Sequence, residues 1–123
     1  MVIILAIGIG GFVGAPARFI VDRFVADRVE TDFPLGTFLI NISGSLLLGL
    51  LTGLDLAGHL PDVLSALLGG GFCGAFTTFS TWSFETVRLI EENELLEALL
   101  NALVSLVLGL LAAGGGIALG LIR

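Results

Sequence analysis

The sequence predicts an all-α membrane protein with four transmembrane helices, of which the third is broken near the membrane midplane. The chain of 123 residues is 56% hydrophobic and 13% charged, and its mean hydropathy of +1.10 lies far outside the range of soluble domains. About 20 apolar residues cross a bilayer, so the chain accommodates about four spans with short loops. A glycine- and threonine-rich stretch, Gly69 to Glu85, lies inside the third apolar segment. We expect one membrane domain over residues 1–123, with spans at about 2–25, 34–56, 62–90 and 95–122.

The first span contains closely spaced small residues. Its start lacks the basic residues and cleavage site of a signal peptide, so we expect the span to remain in the mature protein. Gly10 and Gly14 lie four residues apart on one helix face, a spacing that lets two helices approach closely in lipid. Arg18 follows within the apolar stretch. Its side chain either snorkels to the interface or is a buried cation that anchors the fold or raises the local anion concentration.

The second span carries a stripe of polar and small residues on one helix face. Thr37, Asn41, Gly44 and Ser45 fall at positions i, i+4, i+7 and i+8. Such a stripe faces protein or water in preference to lipid. Two interpretations of Asn41 stay open: its amide forms interhelical hydrogen bonds, or its NH₂ group donates to a passing anion.

The third span includes the stretch GGGFCGAFTTFSTWSFE, which starts at Gly69. Its glycines weaken a helix, while its threonines and serines can bond the backbone carbonyls. A break here would leave carbonyl groups at the end of one half-helix and amide groups at the start of the next, which is how ion sites are built near a membrane midplane. The alternative is a continuous helix whose glycines only allow close packing. The single cysteine, Cys73, is expected to be a small buried residue.

The fourth span has a second polar stripe, and the rest of the chain excludes several classes of protein. Asn101, Ser105 and Gly109 recur at i, i+4 and i+8 on this span. The only histidine, His59, cannot build a metal cluster, and the spans hold no catalytic constellation, so we expect no enzyme. Eleven acidic residues face five arginines, for a formal charge of −6, which makes nucleic acid an improbable partner.

Three blocks of sequence, in this order, resemble a known family. They are GGFVGAPAR from Gly10, PLGTFLINISGS from Pro34 and GFCGAFTTFSTWSFE from Gly71. With the fourth span they cover nearly the whole chain. They are similar to the small four-span fluoride channels called Fluc or CrcB, and the third block is the most specific of the matches.

The resemblance implies a particular assembly and a structural metal ion. Members of this family are dimers of two oppositely inserted chains, with two ion pathways along the dimer interface. The broken third helix of each chain supplies backbone carbonyls to one central sodium ion, and the matching positions here are Gly74 and Thr77. The sodium ion would be structural and would not be transported.

The resemblance also implies the residues that line the anion pathway. Its asparagine and two phenylalanines correspond to Asn41, Phe79 and position 82, where this chain has Trp82, whose indole N–H is a hydrogen-bond donor. Ring edges carry partial positive charge and can face an anion. Ser105 and Thr37 complete the candidate pathway residues. The remaining matches, Arg18 and Glu85, correspond to the arginine after the first glycine block and to the vestibule acid.

This chain departs from the family pattern on the fourth span. The family often has a tyrosine followed by two hydroxyl residues there, and this chain contains no tyrosine. One of the pathways that the subunit contributes is therefore expected to be weakened or lost. Arg23, Arg28 and Arg88 lie near the loops, against Arg123 beside the termini, a modest bias that predicts cytoplasmic loops and external termini. An antiparallel homodimer and a heterodimer with a paralogous chain both stay open.

We therefore expect a fluoride-selective channel of the cell membrane that lowers cytoplasmic fluoride by passive efflux. A small four-span, proton-coupled multidrug exporter is the main alternative. Such an exporter needs an ionisable carboxylate inside a span. Residues Val2 to Ala17 contain none, and Glu85 lies toward a span end. A non-conducting membrane scaffold, in which the glycines serve packing alone, is the other alternative.

Overall fold

The computed structural model describes residues 1–122, and this part of the chain is all-helical. Its elements are α1 (Val2–Arg28), α2 (Leu35–Leu56), α3 (Asp62–Ser65), a π-helical segment (Ala66–Cys73), α4 (Gly74–Phe76), α5 (Phe79–Glu91) and α6 (Leu95–Ile122). Four segments are long and apolar enough to cross a membrane: α1, α2, the composite third span Asp62–Glu91, and α6. The prediction of an all-α protein with four spans is confirmed. Arg123, which entered the orientation argument, lies outside the described residues.

The third span is bent, and its helix is interrupted halfway along. The glycine-rich stretch that was expected to weaken the helix is wound as a π-helix from Ala66 to Cys73. After α4, the backbone is extended at Thr77 (φ −79°, ψ 160°) and Thr78 (φ −150°, ψ 123°). A helix then resumes at Phe79. The alternative of a continuous helix is therefore wrong.

Glycines allow the helices to approach until their backbones touch. A Cβ atom added at Gly10 of α1 would lie 2.7 Å from the Phe72 nitrogen, and one at Gly71 would lie 2.6 Å from the Ile7 carbonyl oxygen. The same contact recurs between α2 and α6, where a Cβ atom at Gly116 would lie 2.6 Å from the Leu50 nitrogen. Helices in lipid associate through such close packing, because lipid tails are as apolar as leucine.

The polar stripes face inward and the large apolar side chains face outward. Thr37 is 3% exposed, Asn101 is completely buried and Ser105 is 8% exposed. By contrast Phe12, Leu110 and many other large apolar side chains are more than half exposed in the single chain. This arrangement is typical of a membrane protein, whose apolar surface contacts lipid or another subunit. The stripes on the second and fourth spans were thus predicted on the correct face.

The loops between α1 and α2 and between α5 and α6 lie at the same end of the bundle. Asp32 in the first loop faces Glu94 in the other, and its negative charge raises the pKa of the Glu94 carboxyl above the ordinary value. This end is therefore acidic, although Arg88 lines a cavity beside the α1–α2 loop.

Candidate functional site

The side chain of Asn41 joins α2 to the interruption in the third span. Its Nδ2 donates to the Thr78 carbonyl oxygen at 2.9 Å, and its Oδ1 accepts from the Thr78 N–H at 2.9 Å. The amide thus satisfies both backbone groups of an extended residue that has left the helix, which is necessary where water is scarce. The interhelical bonds considered for Asn41 are therefore present. Because an NH₂ group has two donor protons, one remains for another acceptor.

The interruption leaves carbonyl groups without their helical donors, among them those of Gly74 and Thr77. In an uninterrupted helix, the Gly74 carbonyl would accept from the N–H of Thr78, and the Thr77 carbonyl from that of Thr81. Here the Thr78 N–H donates to Asn41, and the Thr81 N–H donates to the Thr78 Oγ1 at 3.1 Å. The carbonyls of Gly74 and Thr77 are thereby available as hard oxygen ligands. They are the two groups that the family resemblance assigned to sodium.

A cavity of about 360 Å³ lies beside the interruption, between α2, α5 and α6. Its polar lining comes from Asn41, Ser45, Thr77, Thr78, Trp82 and Ser105. Phe79, Gly109 and several aliphatic residues complete the wall. The rings of Phe79 and Trp82 lie 5.2 Å apart at an angle of 51°, and Phe79 is 75% exposed in the single chain. The cavity therefore combines ring edges with amide and hydroxyl groups.

A cluster of hydrogen bonds joins α5 to α6 at the side of this cavity. The Trp82 Nε1–H donates to the Asn101 carbonyl oxygen at 2.8 Å. The Asn101 Nδ2 donates to the Thr86 Oγ1 at 2.7 Å and to the Trp82 carbonyl at 3.4 Å, while the Thr86 hydroxyl donates to that carbonyl at 2.8 Å. Ser105 donates to the Asn101 Oδ1 at 3.3 Å. The indole donor of Trp82 is thus directed to α6, and only the remainder of the ring meets the cavity.

A second cavity of about 360 Å³ lies at the acidic end of the bundle. Asp22, Glu85 and Arg88 line it, together with the residues of the α1–α2 loop. The Glu85 Oε1 atom is buried and has no hydrogen-bond partner within residues 1–122. Thr37, predicted as a pathway residue, lies beside the Glu85 carboxyl and does not line the first cavity.

The structure brings some of the predicted site residues together and separates others. Asn41, Phe79, Trp82, Ser105 and Thr77 line the first cavity. Gly74 lies one turn before the interruption on an exposed part of the chain, and Glu85 lines the second cavity. Arg18 is half-buried on α1 and lines neither cavity.

Two residues of the site, Thr78 and Thr86, have hydrogen-bond partners that the sequence does not indicate. Thr78 caps α5, because its Oγ1 accepts from the Thr81 N–H, and a threonine just before a helix is a recognisable cap. Its pairing with Asn41 depends on how α2 packs, which the sequence does not specify. Thr86 lies between Glu85 and Val87, and nothing in its neighbourhood marks it as the partner of Asn101.

The fold and the site define a small four-span membrane protein with a polar cavity beside an interrupted helix. The sequence model of one family, described as "CrcB-like protein, Camphor Resistance (CrcB)", matches residues 5–117. The chain belongs to this family, so the resemblance inferred from the three blocks is confirmed.

Curated relatives match nearly the whole chain. "Fluoride-specific ion channel FluC 1" of Streptomyces avermitilis is 50% identical over 108 residues, which cover 88% of this chain and 87% of the relative. "Fluoride-specific ion channel FluC 2" of Mycobacterium tuberculosis is 52% identical over 105 residues, with 85% and 79% covered. A FluC 1 protein of Leifsonia xyli is 46% identical over 118 residues, with 96% and 86% covered.

Proposed function

We propose that this protein is a fluoride-specific ion channel that lowers cytoplasmic fluoride by passive efflux across the cell membrane. Curated relatives of that name are about half identical over most of the chain, which is the observation that carries the proposal. The cavity beside the interruption supports it, because four of the five residues predicted to line an anion pathway meet there. As a channel, the protein is not an enzyme.

Passive conduction is sufficient for this task. Fluoride enters a cell as its neutral weak acid and ionises inside, so the anion accumulates and needs only a path outward. An inside-negative potential favours its exit by about 2.3 kcal/mol per 100 mV for each unit charge. Neither a coupling ion nor ATP is required.

Selectivity depends on replacing the hydration shell of a small anion. Fluoride is strongly hydrated, so donors must compensate for the lost water in a narrow path. We assign this role to the free Nδ2 proton of Asn41, to the Ser105 hydroxyl and to the ring edges of Phe79 and Trp82. We assign the carboxyl of Glu85, with the buried Thr37 beside it, to a vestibule at the acidic end, and the half-buried Arg18 to anchoring α1.

We further propose that Gly74 and Thr77 hold a structural sodium ion through their carbonyl oxygens. Hard cations prefer oxygen ligands, and both carbonyls have lost their helical donors to the interruption. Gly74 is exposed in the single chain, so a second subunit can reach this site. When bound, the ion would supply positive charge near the anion pathways, and the carbonyls of Gly74 and Thr77 would hold it.

The proposed assembly is an antiparallel dimer with both interrupted helices at its centre. The outward-facing Phe79 supports this, since an aromatic ring that is 75% exposed beside a polar cavity has room for a partner. Whether the partner is a second copy or a paralogous chain is decided by experiment. The arginines near the loops favour cytoplasmic loops for this chain.

Fluoride efflux from liposomes that contain this chain alone tests the function. We expect rapid fluoride release, read with a fluoride electrode and independent of a proton gradient, and no comparable chloride release. Release would also establish that the chain pairs with itself. If no fluoride is released even after co-expression with a paralogue, the channel function is refuted. Protein purified without sodium is expected to lose activity if the ion is structural.

A further inference from the structure

The α5–α6 cluster uses all of its side-chain donor protons internally. The indole of Trp82, the amide of Asn101 and the hydroxyl of Thr86 all donate to acceptors within the cluster. Ser105 does so as well, through Asn101 Oδ1. Yet Ser105 and Trp82 both line the cavity that we assign to the anion. An anion in this cavity can accept a hydrogen bond from the α5–α6 cluster only when one of these bonds opens.

Of the two cluster residues that line the cavity, Ser105 holds its proton less tightly: its bond is 3.3 Å long, against 2.8 Å for the indole of Trp82. A serine in a helix can also donate to the carbonyl three or four residues earlier. Within residues 1–122 Ser105 forms no bond to the Ala102 carbonyl, and the carbonyl four residues earlier belongs to Asn101. Of the two lone pairs on that oxygen, one takes the Ser105 N–H within α6 and the other takes the indole N–H of Trp82 at 2.8 Å. The Ser105 proton is therefore left to the Asn101 Oδ1, and the 3.3 Å separation is long for a hydroxyl donor.

We propose that Asn101 is a positioning residue that sets how readily Ser105 donates to an anion in the cavity. This inference depends on the proposed function. The side chain of Asn101 is completely buried, so it contacts the anion only through Ser105. A charge-assisted hydrogen bond is about twice as strong as a neutral one, so fluoride can take the proton, but the bond to Asn101 must be given up first. Asn101 thus lowers the affinity of the pathway for fluoride, while the Ser105 hydroxyl remains in place as a donor.

Fluoride flux from liposomes, measured against fluoride concentration, tests this in Asn101→Leu, which removes the acceptor and keeps the side-chain length. We expect the half-saturating fluoride concentration to fall by about fivefold, the worth of one neutral hydrogen bond of about 1 kcal/mol. Ser105→Ala should reverse this gain in the Asn101→Leu background and have a smaller effect in the natural chain. Equal effects of Ser105→Ala in both backgrounds, or no change in Asn101→Leu, would overturn the proposal.

Trp82 provides the structural control, because it is the only tryptophan and the chain has no tyrosine. Its indole bonds the backbone carbonyl of residue 101, so its emission should be unchanged in Asn101→Leu. A shifted emission would show that the α5–α6 cluster has been displaced. It would contradict the proposal that Asn101 acts on the anion only through Ser105. If the leucine variant does not fold, Asn101→Ala removes the acceptor without added bulk.

A control substitution removes a hydroxyl group that lies away from the cavity. It tests whether a change in flux comes from Ser105 or from the loss of any hydroxyl group. Thr52 donates to the Leu48 carbonyl of its own helix at 2.8 Å and is exposed, so Thr52→Val should leave the flux unchanged. A natural chain that carries no fluoride, either alone or co-expressed with a paralogue, refutes the proposed function. A natural chain that conducts, with independent effects at positions 101 and 105, refutes only the inference about Asn101.

Discussion

At the residue scale, one asparagine stabilises an irregular backbone inside a membrane span. Asn41 forms two hydrogen bonds of 2.9 Å with the backbone of Thr78, and it is held on α2 opposite the interruption. An unpaired backbone group in a low-dielectric interior costs several kcal/mol, so the extended residues depend on this amide. The same amide retains a second donor proton beside the cavity, so the structural role and the pathway role that we propose fall on one side chain.

Asn41→Asp is expected to abolish fluoride flux. The carboxylate accepts but does not donate, so it loses the bond to the Thr78 carbonyl and places a negative charge beside the anion path. We expect flux to fall at least about a hundredfold, as for removal of a preorganised donor from an anion site, and stability to fall by about 1–3 kcal/mol. Liposome flux and thermal unfolding in detergent measure the two effects.

Ser43→Ala is the control for Asn41→Asp on the same helix. Ser43 is exposed and donates to the Leu39 carbonyl of α2 at 2.7 Å, so its loss should change neither quantity. Unchanged flux in Asn41→Asp would remove Asn41 from the mechanism. Lost flux with an intact, fully stable protein would show that only the donor toward the anion matters.

Residue types in the sequence predicted which polar residues belong to the site. They did not predict the hydrogen-bond partners of those residues equally well. Asn41 and Ser105 were identified because each lies on a polar stripe of an apolar helix, where such residues face inward. The indole N–H of Trp82 was expected as a donor near the pathway, but α6 passes within reach and its Asn101 carbonyl takes that proton. Hydrogen-bond partners depend on the distance between helices, which no single helix encodes.

At the scale of elements, glycines decide where helices can touch. The clearest case is the contact of α2 with α6. A Cβ atom at Gly116 would lie 2.6 Å from the Leu50 nitrogen, and one at Gly49 would lie 2.9 Å from the Ala113 carbonyl carbon. Neither neighbour is a flexible side-chain end, so added bulk must separate the two helices.

Gly116→Ala is therefore expected to destabilise the protein by about 1–3 kcal/mol, the usual cost of overpacking a tight interface. The matched control is Gly114→Ala on the same helix, where an added Cβ meets nothing within 4 Å. Alanine at that position should be neutral or slightly stabilising, because it favours the helix. Thermal unfolding in detergent distinguishes the two. Equal effects would mean that α2 and α6 do not pack as described.

The sequence predicted that the third span is interrupted, but it did not predict the position of the interruption. Its glycines and hydroxyl residues indicated a weak helix between Gly69 and Glu85. The interruption falls at Thr77 and Thr78, where Asn41 and the room left by Gly44 accommodate an extended backbone. The π-helical winding before it had no separate signal, because glycine weakens any helix without selecting its pitch.

At the scale of the whole molecule, the number of membrane spans follows from the composition of the sequence. Which helices pack against each other does not follow from it. Runs of about 20 apolar residues fix the number of spans. The pairing of α2 with α6, and of α1 with the π-helical segment, depends on which glycine faces meet, and several such faces exist. The extensive apolar surface that remains, including Phe79, is consistent with lipid and a second subunit as neighbours.

The acidic end of the molecule predicts a dependence of stability on pH. The charge of Asp32 is the main cause that raises the pKa of Glu94 above its ordinary value of 4.5. A raised pKa means that the folded state favours the protonated carboxyl. Its contribution is therefore favourable below the ordinary value and is lost as the pH rises through the folded-state value. At neutral pH the two carboxylates repel each other.

Asp32→Asn should therefore raise the thermal unfolding midpoint at pH 7 and low salt. The gain should fade as the pH falls toward the ordinary Glu94 value of 4.5, since the Glu94 carboxyl is then protonated and no longer repels a charge at position 32. Salt should reduce it too, because Glu94 is exposed and a charge interaction at the surface is screened. Glu30→Gln removes a charge from the same loop, and Glu30 is not among the groups that shift Glu94, so its effect should be smaller. Equal gains for both variants would indicate a response to net charge, and would contradict a specific contact between the two loops.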